Sequence, residues 1–560
     1  MNFLKAWVFF LSALLWCSTA PPAPSESQSS LFNPHLAAKP VRIVPAREID
    51  RISAPSVLVR LANNKLALMM RSQAGVLEPF YVRGIETGFY DTRKSNRTDY
   101  DQVFANYRRL GANTAMFMIH WNDIEPEDGR FDFSFADMIA DKAAKHDVRI
   151  WWVLFMHTQH EQPSDIPNSW IYRIDSRNGV DYGIQWLKDS EGRLHNSVAD
   201  LLHLSRPAEI YPAYGNPAVF SRIISMIRAL ASHYRDSRTV VGVQIGNEEG
   251  FVYYSAVHKD RPGWESDFNP VTQKLYEEWK QKTGKQDWHA FKLDIVEWWW
   301  RHFTTAFHEE DPYRVVSFDL AGGRPEAGDL EMIDEEGVDS TTYGEGNIDV
   351  VGIMFYGREA GDRIWPNLDQ HYDYVYQLPI LVPPEIGTGK PWGTKADFQE
   401  YAISAIERGA QGYSAYCYGT LVDDDGTLNE YGTAYQKFAA MMEANEDVIY
   451  AGLPGAGAVS IRTSSAGWRV SQLHHSSGST LGILHFPQAH LRENSDDNTA
   501  ASDVALELTS ETAGRYALET FHDGMLGARE VVSLKPNRSW AWVIPKVRET
   551  EAIFVRVKRL

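Results

Sequence analysis

Between about residue 51 and residue 445 the chain alternates short apolar runs with amphipathic stretches, and the apolar runs stop abruptly at polar or aromatic residues. Val240-Val-Gly-Val-Gln-Ile245, halting at Gly246-Asn-Glu-Glu-Gly250, is the plainest case. A β-branched run of this kind suits a strand buried on both faces, the condition of a parallel sheet. The same texture predicts strands at 80–85, 113–119, 148–155, 313–318, 349–355, 378–382 and 412–416. Helical periodicity separates them at 100–110, 135–146, 218–234, 271–283, 287–309, 395–408 and 431–444. Ser134 reads as the N-cap of the second of these helices. Strand-then-helix units in this order predict a (β/α)8 barrel rather than an open sheet. Residues 57–61 and 65–70, joined by Ala62-Asn-Asn64, predict a hairpin that plugs or flanks it. Trp298-Trp-Trp300 falls on a helix and reads as packing against the barrel.

The pattern changes at residue 446. Short alternating strands with Gly, Ser and Asn turns then run to residue 560, which predicts a β-sandwich that braces the barrel, with carbohydrate binding as the alternative. At the other end, residues 1–20 have the basic start, short apolar core and small residues of a secretory signal, and residues 21–50 read as a flexible segment. The expectation is an exported, soluble protein with no membrane span. Cys17 is a second-choice site for a lipid anchor, because Trp16 precedes it where a small residue is needed. Residues 156–216 form a long polar and aromatic insertion, the kind of loop that usually serves function.

Composition narrows the partners. The net charge is −19, from 55 Lys+Arg against 74 Asp+Glu, which argues against a nucleic-acid surface. The 18 Trp and 26 Tyr suit a sugar cleft, where pyranose C–H faces pack on flat rings. With 2 Cys, one of them in the leader, no disulfide framework is available. No metal-binding motif is present, and no metal or organic cofactor is expected. Asp423-Asp-Asp-Gly426 lacks the alternating spacing of a calcium loop. Gly387-Thr-Gly-Lys390 fails as a phosphate loop, because Pro384 and Pro391 occupy required positions.

The candidate chemistry lies at two strand ends. Glu248 follows the fourth predicted strand and Glu385 the seventh, and those ends face one another across a barrel mouth. Glycoside hydrolysis needs two carboxylates flanking the scissile bond, about 5–5.5 Å apart in a retaining enzyme. Glu385 is assigned as nucleophile and Glu248 as acid/base. An ionised Glu385 would hold the Glu248 proton by like-charge repulsion until the glycosyl-enzyme forms. Glu86, His120, His157, Trp392 and Tyr418 fall just past strand ends and are candidates for sugar contact.

Gln244-Ile-Gly-Asn-Glu-Glu-Gly250 resembles the strand-four motif of clan A glycoside hydrolases, in which Asn precedes the acid/base Glu. His120-Trp-Asn-Asp-Ile-Glu-Pro-Glu-Asp-Gly-Arg-Phe-Asp-Phe133 resembles the strand-two segment of β-galactosidase families 35 and 42. Pro384-Glu385 resembles the nucleophile position on strand seven. The likeness covers about residues 75–445. It implies that Asn247 donates to the substrate 2-hydroxyl, that Trp121 lines the sugar subsite and that Tyr356 orients the nucleophile. Two departures stand out: Glu249 replaces the usual Tyr, and the Asn-x-His-Glu form of family 35 is missing near Trp121. The expected activity is that of an exo-β-galactosidase on oligo- or polysaccharide β-galactosides. The alternatives are an endo-acting hydrolase of agar- or carrageenan-type galactans and a catalytically silent carbohydrate-binding protein. The sequence sets no oligomeric state.

Overall fold

The computed structural model describes residues 36–72, 74–87, 99–155, 188, 190–192, 215–246, 267–318, 347–351, 354–355, 385–387, 395–407, 409–455, 457–487 and 501–560. Four short strands come first: β1 (Val44–Pro45), β2 (Ser56–Arg60), β3 (Leu66–Arg71) and β4 (Leu77–Pro79). They form one sheet in that order. The barrel strands follow: β5 (Val82–Thr87), β6 (Thr114–His120), β7 (Arg149–Phe155), β8 (Val240–Ile245), β9 (Val315–Phe318), β10 (Val350–Val351), β11 (Met354–Phe355), β12 (Glu385–Gly387) and β13 (Gly412–Tyr416).

All these pairings are parallel, and the sheet order is β10-β9-β8-β7-β6-β5-β13-β12-β11. The two edges of this order, β10 and β11, are halves of one run of chain. Val351 and Met354 are three Cα steps apart, at most about 11 Å. A flat sheet of nine strands would hold its edges roughly 38 Å apart. The sheet therefore curls until its last strand meets its first, as a barrel does.

Local chemistry sets the helix ends. The Asp99 side chain accepts from Asp101 N and Gln102 N to cap helix Tyr100–Leu110, which ends at Gly111 in the left-handed region. Asn216 and Asn269 cap helices Pro217–Tyr234 and Pro270–Thr283, each with proline in the first turn. Ser134 is a correction. It begins helix Ser134–Lys145 instead of capping it, and its N–H donates to Asp132 Oδ1 at 3.0 Å. The aromatic triple is packing: Trp298 stacks on Phe220 at 4.8 Å, and Trp300 lies 3.6 Å from the Phe318 ring centre.

The N-terminal sheet closes the lower end of the barrel. Leu58, Leu68 and Met70 form one buried cluster with Val82, Met116, Trp151, Val241, Val315 and Val350 from the barrel interior. Ser56 Oγ donates to Val241 O at 3.0 Å. Part of the segment expected to be flexible is built in here. Val41 N donates to Asp349 Oδ1 at 2.9 Å, Arg42 N donates to Pro312 O at 2.7 Å, and β1 pairs with β2. The apolar Val41 and Val44 are buried, a placement that Pro and Arg neighbours conceal in the sequence.

Helix Glu446–Ala451 still belongs to the barrel base, where Arg83 pairs with Glu446. The all-β part then runs β14 (Leu453–Pro454), β15 (Val459–Thr463), β16 (Arg469–His474), β17 (Ser479–His485), β18 (Ser502–Ser510), β19 (Gly514–His522), β20 (Met525–Leu534), β21 (Trp540–Val547) and β22 (Ile553–Arg559). A six-stranded sheet, β14-β16-β17-β22-β19-β20, faces a three-stranded one, β15-β18-β21. Period-two alternation lets the larger sheet serve two cores. Leu484, Ile553 and Val555 face the smaller sheet, while Leu481, Ile483 and Phe554 join the barrel's cluster. The Phe554 ring lies edge-on to Phe438 of helix Glu430–Ala444, 5.9 Å away.

Candidate active site at the barrel mouth

The lower end is plugged, so the candidate site falls at the C-terminal ends of the strands, where parallel barrels carry their chemistry. Alternation along each strand fixes which positions point inward. Val82 is an interior residue of β5, so Gly84 and Glu86 share its face; Met116 and Met118 place His120 on the inner face of β6. Interior space is limited by Trp151, whose Nε1 donates to Ser317 Oγ at 3.1 Å. Above that layer stand Glu86, His120 and Gln244, all buried. Gln244 Nε2 donates to Gly246 O at 3.2 Å, where the chain leaves β8 with φ 86°. Asn247 and Glu248 follow directly in sequence, outside the described residues, as do His157, Tyr356 and Trp392.

Glu385 is the first residue of β12, and its Cα is paired with Met354 of β11 and Ser414 of β13. The sequence placed the seventh strand at 378–382 with Glu385 beyond its end. Those residues lie outside the described ones, and Glu385 stands in the ladder itself. Apolar content marks a strand only where side chains are buried in fat-like surroundings, so a ladder position with a carboxylate leaves no such mark.

The segment after β6 forms a tight corner: helix Trp121–Ile124, a turn, then helix Ser134–Lys145. Trp121 is 1% exposed, and its Nε1 donates to Glu125 Oε2 at 2.6 Å. Its ring packs in the cluster between strands and helices, so solvent does not reach it. Glu125 also accepts from Gly129 N at 2.6 Å through Oε1. Burial raises the Glu125 pKa, opposed by these two hydrogen bonds. Tyr418, 9% exposed, stacks on Tyr107 at 5.9 Å, and Asn106 Nδ2 donates to its hydroxyl at 2.9 Å. These contacts tie the loop after β13 to helix Tyr100–Leu110.

Glu125 and Gln244 stand inside the two quoted motifs without an assigned role there. Each left a signal: Glu125 stands four positions after Trp121, one helical turn on, and Gln244 is the single polar residue in an apolar strand. Among the described residues no group of three or more His, Cys, Asp and Glu side chains is placed to hold a metal ion. Among them, too, no helix is long and apolar enough to cross a membrane.

No family model and no curated protein matches the chain. Solved structures are similar at low identity. The catalytic domain of beta-amylase from Paenibacillus polymyxa has TM-score 0.49 and 12% identity, over 64% of this chain and 97% of that one. A GH30 endoxylanase from Clostridium papyrosolvens has TM-score 0.45 and 12% identity, over 86% and 97%. A beta-galactosidase from the psychrophilic Marinomonas ef1 has TM-score 0.47 and 11% identity, over 66% and 62%.

Proposed function

We propose that this chain is a retaining glycoside hydrolase, with Glu385 as nucleophile and Glu248 as acid/base. The observation that carries the reading is the place of Glu385 in the β12 ladder of a curled parallel sheet whose β8 ends at Ile245, two positions before Asn247 in sequence. Around the ring, β8 and β12 are separated by β9 and the split β10/β11 strand on one side, and by β7, β6, β5 and β13 on the other. On this reading a carboxylate on β12 and one three positions past the end of β8 flank a sugar bound over the barrel axis. Glu385 attacks the anomeric carbon while Glu248 protonates the leaving oxygen; with Glu385 esterified, Glu248 takes a proton from water. Asn247 holds the 2-hydroxyl, and Glu86 and His120 on the inner face supply polar contacts to the ring.

The substrate we favour is a terminal β-galactoside, on the resemblance of the His120–Phe133 segment to β-galactosidase families 35 and 42. A panel of aryl β-glycosides tests this against wild type, Glu385→Gln and Glu248→Gln. Galactoside hydrolysis abolished in Glu385→Gln supports both substrate and nucleophile. Hydrolysis of a different glycoside, with the same loss, keeps the mechanism and replaces the sugar. Cleavage of galactan polysaccharides alone would make the enzyme endo-acting. Turnover that survives in Glu385→Gln removes it as nucleophile.

A further inference from the structure

We propose that Glu125 is a positioning residue for His120: its carboxylate braces the corner after β6 and so sets the imidazole at the barrel mouth. The effect on turnover rests on the reading of that mouth as the catalytic site; the effect on His120 does not.

Both oxygens of the buried carboxylate are committed, Oε2 to Trp121 Nε1 and Oε1 to Gly129 N, each at 2.6 Å. The Glu125 N–H donates back to Trp121 O at 2.7 Å, so residues 121 and 125 are joined twice. On the near side His120 N donates to Asp123 Oδ2 at 2.9 Å. On the far side Asp132 N donates to Ile124 O at 2.8 Å. Arg222 grips Asp128 through two nitrogens, at 3.1 and 2.9 Å. Arg222 lies on helix Pro217–Tyr234, which leads into β8. The corner thus links the strand that ends in His120 to the helix that delivers the strand before Glu248.

His120 is the last residue of β6, so its side-chain direction depends on the backbone that follows it. Placement of a functional group to within about half an ångström requires such a supporting shell. A carboxylate is the group that fits, because it is acceptor-only and faces two N–H donors. An amide in its place must turn its own N–H₂ toward one of them.

The test is a double-mutant cycle with Glu125→Gln and His120→Ala, measured as kcat/KM on a glycoside that the wild type hydrolyses, with melting temperature recorded for each variant. We expect Glu125→Gln to lower kcat/KM about 10- to 100-fold in the wild-type background, mostly through kcat. In the His120→Ala background the same change should matter by less than about threefold. Trp121→Phe, which removes one donor and leaves the carboxylate, should show the same pattern more weakly; it serves if Glu125→Gln does not fold. Equal losses in both backgrounds, or no loss in an active enzyme, would overturn the proposal. If the wild type hydrolyses no glycoside, the glycosidase reading fails by itself. The His120 imidazole resonances then decide: a shifted signal and altered titration in Glu125→Gln or Trp121→Phe uphold the bracing role, and unchanged resonances overturn it.

Discussion

The indole of Trp151 lies against Gly242 inside the barrel, so close that a Cβ at position 242 would sit 2.6 Å from the ring. The glycine in Val-Val-Gly-Val is therefore the space that a tryptophan on the neighbouring strand fills. Gly242→Ala must displace the ring from its bond with Ser317 Oγ. Overpacking of this sort costs about 1–3 kcal/mol. Chemical denaturation should show that loss, and Gly242→Ala combined with Trp151→Phe should recover part of it.

His308 is fully buried with an acceptor at each ring nitrogen: Nδ1 lies 2.8 Å from Asp311 O and Nε2 lies 2.7 Å from Asp349 Oδ2. Both nitrogens must carry protons to satisfy that geometry. Burial pushes the His308 pKa down, but the Asp349 carboxylate and the Asp311 carbonyl outweigh it and hold the pKa above its usual value. A raised folded pKa means stability that is complete below about pH 6.5 and lost as pH rises through the folded value. Thermal melts should therefore fall on the alkaline side of neutrality. His308→Leu leaves Asp349 buried beside an apolar group and should cost about 3–5 kcal/mol. The first segment to loosen should be the one Asp349 holds through Val41, seen as faster amide exchange there.

Lys65, in the turn between β2 and β3, donates to Ile449 O at 2.8 Å and Gly452 O at 3.0 Å, at the end of helix Glu446–Ala451. Asn63 Nδ2 adds a bond to Ala451 O at 2.8 Å. The turn thus caps a helix nearly four hundred residues away in sequence. Burial pulls the Lys65 pKa down to about 7, while the carbonyls at a helix C-terminus favour its charge. Lys65→Met strands those carbonyls and should destabilise by about 1–3 kcal/mol. A midpoint shift with unchanged m-value in urea checks it.

Glu407 ends helix Lys395–Glu407, and burial lifts its pKa to about 7, partly offset by Arg469. The folded carboxyl keeps its proton to a higher pH than the unfolded one does, so stability falls as pH rises from about 4.5 to about 7. Glu407→Gln should flatten that slope. Its melting temperature should exceed the wild type's above pH 7, by the equivalent of about 2–3 kcal/mol at most. The difference should vanish below about pH 4.5.

Periodicity is a local property, and the elements it marks came out near their expected bounds. β8 runs over Val240–Ile245 and β13 over Gly412–Tyr416, as the apolar runs indicated. Helix Tyr100–Leu110 likewise matches its prediction. The sandwich texture after residue 446 was equally plain, although helix Glu446–Ala451 belongs with the barrel. Residue type singles out Glu248 and Glu385 as candidates, but Glu385 stands at the start of β12 and not past the end of the expected strand.

Partners distant in sequence were not legible. Trp121 looked like a sugar platform by its motif, and only packing shows its N–H held by Glu125 within the core. Residues 21–50 read as a flexible segment, and only the buried carboxylate of Asp349, more than three hundred positions away, shows why Val41 is fixed. The sequence by itself determined which segments form strands such as β8 and β13 and helices such as Tyr100–Leu110, since periodicity is read from a few side chains at a time. The curl that brings β11 back toward β10, the plug beneath it and the hydrogen bonds of Glu125 in the corner after β6 were decided by the tertiary structure. Each depends on which surfaces meet once loops have closed, and that choice is made by the whole core at once.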